Sequence, residues 1–157
     1  MPLPDAEASI RPPGPWAHRD VSANGSRFHV VDAGDGPAVV LLHGFPTFWW
    51  TWRRQVAALA DAGYRAIAMD LRGYGGSDHP PEGYDPRTLS ADVAGVIRSL
   101  GEENAVIVGH GWGGLVAWST AVEDMAVPLR TACGKSMVAA EAPKRSPIPA
   151  AIDAIGG

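Results

Sequence analysis

The five residues Gly109-His110-Gly111-Trp112-Gly113 have the small-x-centre-x-small spacing of a nucleophile elbow. Glycines flank the centre of such a turn because the bend is sharp and its backbone passes close to neighbouring elements. The central residue then projects above a sheet, and the N–H that follows it, here that of Trp112, faces a developing oxyanion. The chemistry requires a serine, aspartate or cysteine at the centre. Gly111 has no side chain and can attack nothing. A second run, His43-Gly44-Phe45-Pro46, directly follows the apolar stretch Ala38–Leu42. A strand end followed by a glycine turn exposes backbone N–H groups suited to the same oxyanion task, although His-Gly-x-Pro alone also describes a plain tight turn.

The same glycines permit a different chemistry. Gly109, Gly111 and Gly114 satisfy G-x-G-x-x-G between a strand and a helix, the dinucleotide-binding fingerprint. Trp112 opposes that reading with bulk where a pyrophosphate would approach. A ribose-binding acid belongs about 20 residues further on, at the end of another strand. Glu123 and Asp124 come too early for it, and Glu141 follows no convincing strand.

These runs are positioned by alternating elements. His18–Ser22 and Arg27–Val31 read as two strands around the turn Ala23-Asn24-Gly25, since Asn-Gly supplies the positive φ of a hairpin. Ala38–Leu42 is apolar on both faces, as a strand covered by helices on each side must be. Trp50–Ala62 has helical spacing and stops at Gly63. Arg65–Met69 is a further strand, ending in the turn-rich Asp70–Asp78. A helix is expected over Leu89–Leu100, with Ser90 and Asp92 near its start, then a strand over Asn104–Val108 and a helix over Leu115–Val122. Strands alternating with helices imply an α/β fold with a mainly parallel sheet and flanking helices.

Residues 1–15, rich in proline, read as a flexible arm, and 16–122 as the folded domain. Residues 123–157 read as an atypical, low-structure tail. The six tryptophans, three tyrosines and three phenylalanines all lie at or before Trp118, while both lysines, Lys135 and Lys144, lie beyond it. The run Ala142–Pro149 is linker-like, and the tail reads either as an ordinary polar extension or, the reading favoured, as an extension of foreign origin.

Composition bounds the partners. A chain of 157 residues, 46% hydrophobic and 19% charged, is that of a globular domain with a real core. A net charge of −4, with no basic patch interleaved with aromatics, gives no expectation of nucleic acid. The lone Cys133 cannot form an internal disulfide, which fits a reducing compartment. The N-terminus lacks the apolar region of a signal peptide, and the longest apolar run, Ala38–Leu42, is too short to span a membrane. The expected setting is cytoplasmic.

Three segments together resemble one family. His43-Gly44-Phe45-Pro46-Thr47-Phe48-Trp49-Trp50-Thr51-Trp52-Arg53-Arg54-Gln55 is similar to the oxyanion motif and following helix of α/β-hydrolases of the epoxide hydrolase and haloalkane dehalogenase branch. Met69–Asp78 resembles the turn after the fourth strand of that family. The elbow is similar to its Gly-His-Asp-Trp-Gly form, whose aspartate attacks the epoxide carbon. The resemblance covers about residues 16–122, so the fold expected is the N-terminal half of an α/β-hydrolase, incomplete.

The resemblance implies roles residue by residue. Phe45 and Trp112 match the backbone oxyanion donors, with His43, Gly44, Pro46, Gly109, His110 and Gly113 as motif support. Gly111 matches the nucleophile position and departs from it. The family's acid and histidine follow later strands, and its epoxide-polarising tyrosines come from a cap between them; the chain ends before those elements could form. His18, His29, His43, His79 and His110 all lie too early to be the base. His110 is expected to pack beside the elbow, His43 to hydrogen-bond within its turn, and Asp70 to hold a turn. Trp49, Trp50 and Trp52 suit a substrate entrance or, for at least one of them, helix packing. A complete relative would open an epoxide by carboxylate attack and hydrolyse the ester with histidine-activated water. No cofactor or metal is implied. The expected partner is a small apolar molecule, an epoxide or ester. The isolated chain is expected to be inactive. A non-catalytic half that binds a ligand or partner, or self-associates, through an exposed sheet edge is the alternative.

Overall fold

The computed structural model describes residues 5–123 together with the backbone of 131–134 and 137–140. Strands β1 (Ala17–Ala23) and β2 (Ser26–Ala33) pair antiparallel across Asn24 and Gly25, at φ 45° and 74°. Positive φ at both central residues is what a two-residue hairpin turn with right-handed twist demands, and Asn-Gly meets it at least strain.

The centre of the sheet is parallel. β3 (Ala38–Leu42) lies between β4 (Arg65–Met69) and β5 (Ala105–His110), in register Leu42 with Met69 and Leu42 with Gly109. Antiparallel pairs flank it, β2 with β4 on one side and β5 with β7 (Met137–Ala140) on the other. The full order is β1-β2-β4-β3-β5-β7-β6, with β6 (Thr131–Gly134) outermost. The parallel part foreseen from the alternation is thus the core of a mixed sheet.

Both faces of that core are covered. Val40, Leu42, Ile67, Met69 and Ile107 point to one side and pack on helices α3 (Pro86–Ser99) and α4 (Trp112–Glu123). Val39, Leu41, Ala66, Ala68 and Val108 point to the other, against a 3-10 turn (Trp49–Trp52) and helix α2 (Arg53–Asp61). Successive side chains of a strand alternate faces, so a strand buried on both must be apolar throughout, as β3 is. Helix α2 ends where Gly63 (φ 86°) lets the Tyr64 N–H reach back to the Leu59 carbonyl at 3.0 Å, a Schellman closure.

Several expectations need correcting. The proline-rich arm is not structureless from Asp5 onward. Asp5 caps a short helix, α1 (Ala6–Ile10), and the Ile10 carbonyl accepts the Trp49 indole N–H at 2.8 Å, which anchors the segment to the core. Helix α3 begins at Pro86, not Leu89. Asp85 is its cap, accepting from Thr88 N–H at 3.0 Å, with proline at the first helical position where no N–H is required. Ser90 and Asp92 are buried inside the helix. Helix α4 starts at Trp112, because the elbow turns straight into it through Gly114 and Leu115 N–H bonds to the Gly111 carbonyl.

The segment expected as a low-structure tail supplies β6 and β7. The β5 edge, expected to be unpaired, is occupied by β7, which satisfies its free backbone groups. The linker-like run 142–149 lies outside the described residues. Among the described residues no helix is long and apolar enough to cross a membrane.

Candidate functional site

The register of β3 beside β5 fixes the site. Leu42 pairs with Gly109, so the loop leaving β3 and the turn leaving β5 emerge side by side at the carboxyl ends of the parallel strands. Crevices beyond those ends are where open α/β sheets bind ligands. The glycines of the two loops interlock. A Cβ on Gly113 would overlap the carbonyl oxygens of Leu42 and His43, and one on Gly109 would overlap the Gly113 carbonyl. One on Gly44 would stand 2.9 Å from His110 Nδ1. These three positions therefore require glycine for close approach.

Gly111 is different. Its φ is +55°, and a Cβ there would meet Gly44 Cα alone, at 3.7 Å, an ordinary contact. The backbone is bent as an elbow needs, and the space for a side chain is open. Phe45 and Trp112 carry the two N–H groups expected as oxyanion donors. They lie on the two loops that meet at Gly44 and Gly111, and neither donates to a backbone carbonyl among the described residues. The Phe45–Pro46 peptide is cis, and Phe45 is 76% exposed.

The supporting histidines have distinct tasks. His43 is fully buried and bridges two loops: Nε2 accepts the Leu71 N–H at 3.1 Å, so Nδ1 carries the hydrogen and donates to the Gly44 carbonyl at 3.0 Å. Burial holds its pKa below the ordinary histidine range, against the opposing pull of the Gly44 carbonyl and Asp70. It is a neutral staple. His110 packs beside the elbow with its ring 5.2 Å from that of Trp52, and burial lowers its pKa too. His79 is exposed.

Asp70 holds the turn. Its carboxylate accepts from Trp49 N–H at 2.7 Å and Gly76 N–H at 2.9 Å, and from His29 Nδ1 at 2.8 Å. Trp49 and Trp52 are buried in the core, so packing accounts for them, while Trp50 stacks edge-on to Trp49 and carries Arg53 over its ring at 5.0 Å. Trp52 Nε1 and Gln55 Oε1 are buried without a hydrogen-bond partner among the described residues.

Sequence reasoning missed the ion pair behind the site. Arg72 grips Asp92 of α3 with two bonds of 2.7 Å, and Asn24 of the hairpin turn donates to the same carboxylate at 2.7 Å. Placing Asp92 inside a helix facing inward would have flagged it, since buried carboxylates need partners. Among the described residues no group of three His, Cys, Asp or Glu side chains is placed to hold a metal ion.

A sharp glycine turn between β5 and α4 thus meets a glycine loop at the carboxyl ends of a sheet buried on both faces. The chain belongs to the alpha/beta hydrolase family, whose model matches residues 39–156. It is 49% identical over 110 residues to epoxide hydrolase A of Mycobacterium tuberculosis, covering 68% of this chain and 34% of that protein. It is 46% identical over 103 residues to epoxide hydrolase 3 of Siraitia grosvenorii, covering 64% and 33%. Among solved structures it is similar to epoxide hydrolase VrEH1 from Vigna radiata, with TM-score 0.71, 40% identity and coverage of 73% and 37%. An epoxide hydrolase from an endophytic Streptomyces matches with TM-score 0.71 and 45% identity, covering 73% and 35%. The chain thus spans about a third of the length of these relatives.

Proposed function

We propose that this chain is the N-terminal portion of an epoxide-hydrolase-type enzyme with a vacant nucleophile position, and that by itself it turns over neither epoxides nor esters. One observation carries the reading: the elbow keeps its positive φ and its open space at Gly111 but has no side chain there. Without a nucleophile no covalent ester forms, and oxyanion stabilisation has no intermediate to act on. The sequence also contains no histidine after His110 to serve as a later base. In this reading the Phe45 and Trp112 N–H groups remain as a donor pair facing an empty cradle. The ligand class is a small apolar epoxide or ester, the setting cytoplasmic, and self-association uses sheet edge or helix surface left uncovered.

Steady-state assays of the purified chain on styrene oxide and p-nitrophenyl acetate test it. The expected rate is that of buffer. A rate well above buffer that Trp112→Pro abolishes would place a working site at the elbow and overturn the proposal.

A further inference from the structure

Away from the elbow, four groups from separate parts of the chain stand in line. The Pro12 carbonyl lies 3.0 Å from His18 Nε2, His18 Nδ1 lies 2.9 Å from His29 Nε2, and His29 Nδ1 lies 2.8 Å from Asp70 Oδ2. His29 and Asp70 are fully buried, and His18 is half-buried. Both ends of the line are acceptors. The carbonyl of Pro12 can only accept, and it also takes the Trp16 indole N–H at 3.1 Å. The Asp70 carboxylate faces donors alone, the Trp49 and Gly76 N–H groups besides His29.

Three contacts between two acceptor ends need three N–H hydrogens. Two neutral imidazoles supply two. With only two, one contact must set lone pair against lone pair: His18 against Pro12, one ring against the other, or His29 against the Asp70 carboxylate. We propose that the His18–His29 pair holds one proton more than two neutral rings, balanced by Asp70, and that this shared proton latches the N-terminal segment onto the core.

Charge is disfavoured on the His18 ring and is balanced from the other end of the line by Asp70, 2.8 Å from His29. Burial is the chief reason His18 sits below the ordinary histidine range; the Pro12 carbonyl opposes it, while the charges of His29 and Arg11 add to it and Asp70 opposes. Arg11 is itself tied to Asp20 at 2.6 Å and to Glu7 at 3.9 Å, and the Trp49 ring edge closes the remaining side. The extra proton lies on the 2.9 Å contact between the two rings, so its charge belongs to neither ring alone. Because docking completes the line only with the extra proton, the docked form binds that proton more tightly than the undocked form. Docking is therefore strongest where the shared proton is held and is lost as rising pH removes it. The consequence reaches the site, because Ile10 holds the indole of Trp49, which opens the turn after the oxyanion loop.

NMR of the full chain with ¹⁵N-labelled histidine reads the proton count directly. At about pH 6, three of the four ring nitrogens of His18 and His29 should be protonated. Raised to about pH 9, one ring hydrogen should disappear, and exchange of the Trp49 indole hydrogen should accelerate roughly tenfold beyond its intrinsic pH dependence. In His18→Gln, whose amide is an uncharged donor to Pro12, that extra acceleration should vanish; His18→Phe should leave Trp49 exchanging fast at both values. Two protonated ring nitrogens at about pH 6 would overturn the proposal. So would Trp49 exchange that follows only the intrinsic rate across this range, or a pH dependence that survives in both variants.

Discussion

Gly111 is the residue at which chemistry and conformation separate. At φ +55° a non-glycine residue is strained by about 1–3 kcal/mol, and the structure has room for its side chain. Gly111→Asp should therefore fold, with stability in denaturant titration lowered by roughly that amount. Gly113→Ala, whose Cβ would overlap two carbonyl oxygens of the β3 loop, should lose more, at or beyond the upper end of the ~1–3 kcal/mol seen for overpacking. The restored carboxylate should take up at most a single reactive epoxide, seen as one mass increment in intact mass spectrometry. Sustained turnover by Gly111→Asp would mean that a base is present after all. The spacing of small residues made this elbow legible in the sequence, because each flanking glycine answers a local steric demand. The tasks of His43 and Asp70 were legible only as turn-holding. Their partners, Leu71 N–H and His29, are 28 and 41 residues away, and no local signal encodes such a meeting.

Among the elements, α3 is tied down most specifically. The Arg72–Asp92 pair is buried at both ends and shares its carboxylate with Asn24, so the helix is fixed at once to the turn after β4 and to the β1–β2 hairpin. Removing one partner of such a pair leaves an uncompensated buried charge. Asp92→Ala should cost about 3–5 kcal/mol, measured by denaturant unfolding with an unchanged slope. A loss below 1 kcal/mol would show that water reaches Arg72 and that the pair is less enclosed than its geometry implies. The strands β1 to β5 were legible to within a residue or two, since apolar runs bounded by Gly, Asn and Pro leave few alternatives. The start of α3 was not, because Asp85-Pro86 signals a cap and first turn without an apolar residue, and the eye passes to the first periodic position, Leu89.

The molecule as a whole is a sheet covered on two faces, with one helix left partly bare. Leu115, Trp118 and Val122 lie along one side of α4 and are 45%, 51% and 57% exposed. They recur at near-helical spacing on a helix that is apolar around most of its circumference, a pattern normal for a helix enclosed on all sides. A hydrophobic dye such as ANS should bind the folded chain with enhanced fluorescence, and Trp118→Lys should remove most of the enhancement while leaving the melting temperature within a few degrees. Equal dye binding by the variant would direct attention to another surface. At this scale the family was legible in the sequence, because three separated motifs had to occur in order. The anchoring of residues 5–15 and the pairing of β7 with β5 were not, since each depends on a surface built by distant parts of the chain.

The interlocked glycines of the two site loops carry a consequence for descent. Gly44, Gly109 and Gly113 are demanded by how loops touch, whether or not a nucleophile stands between them. A lineage that abandons catalysis but still needs a folded chain is free to drift at position 111 and is not free to drift at its neighbours. Motif recognition in this superfamily therefore reports the scaffold, whose interlocked glycines persist whatever residue stands at the centre of the turn.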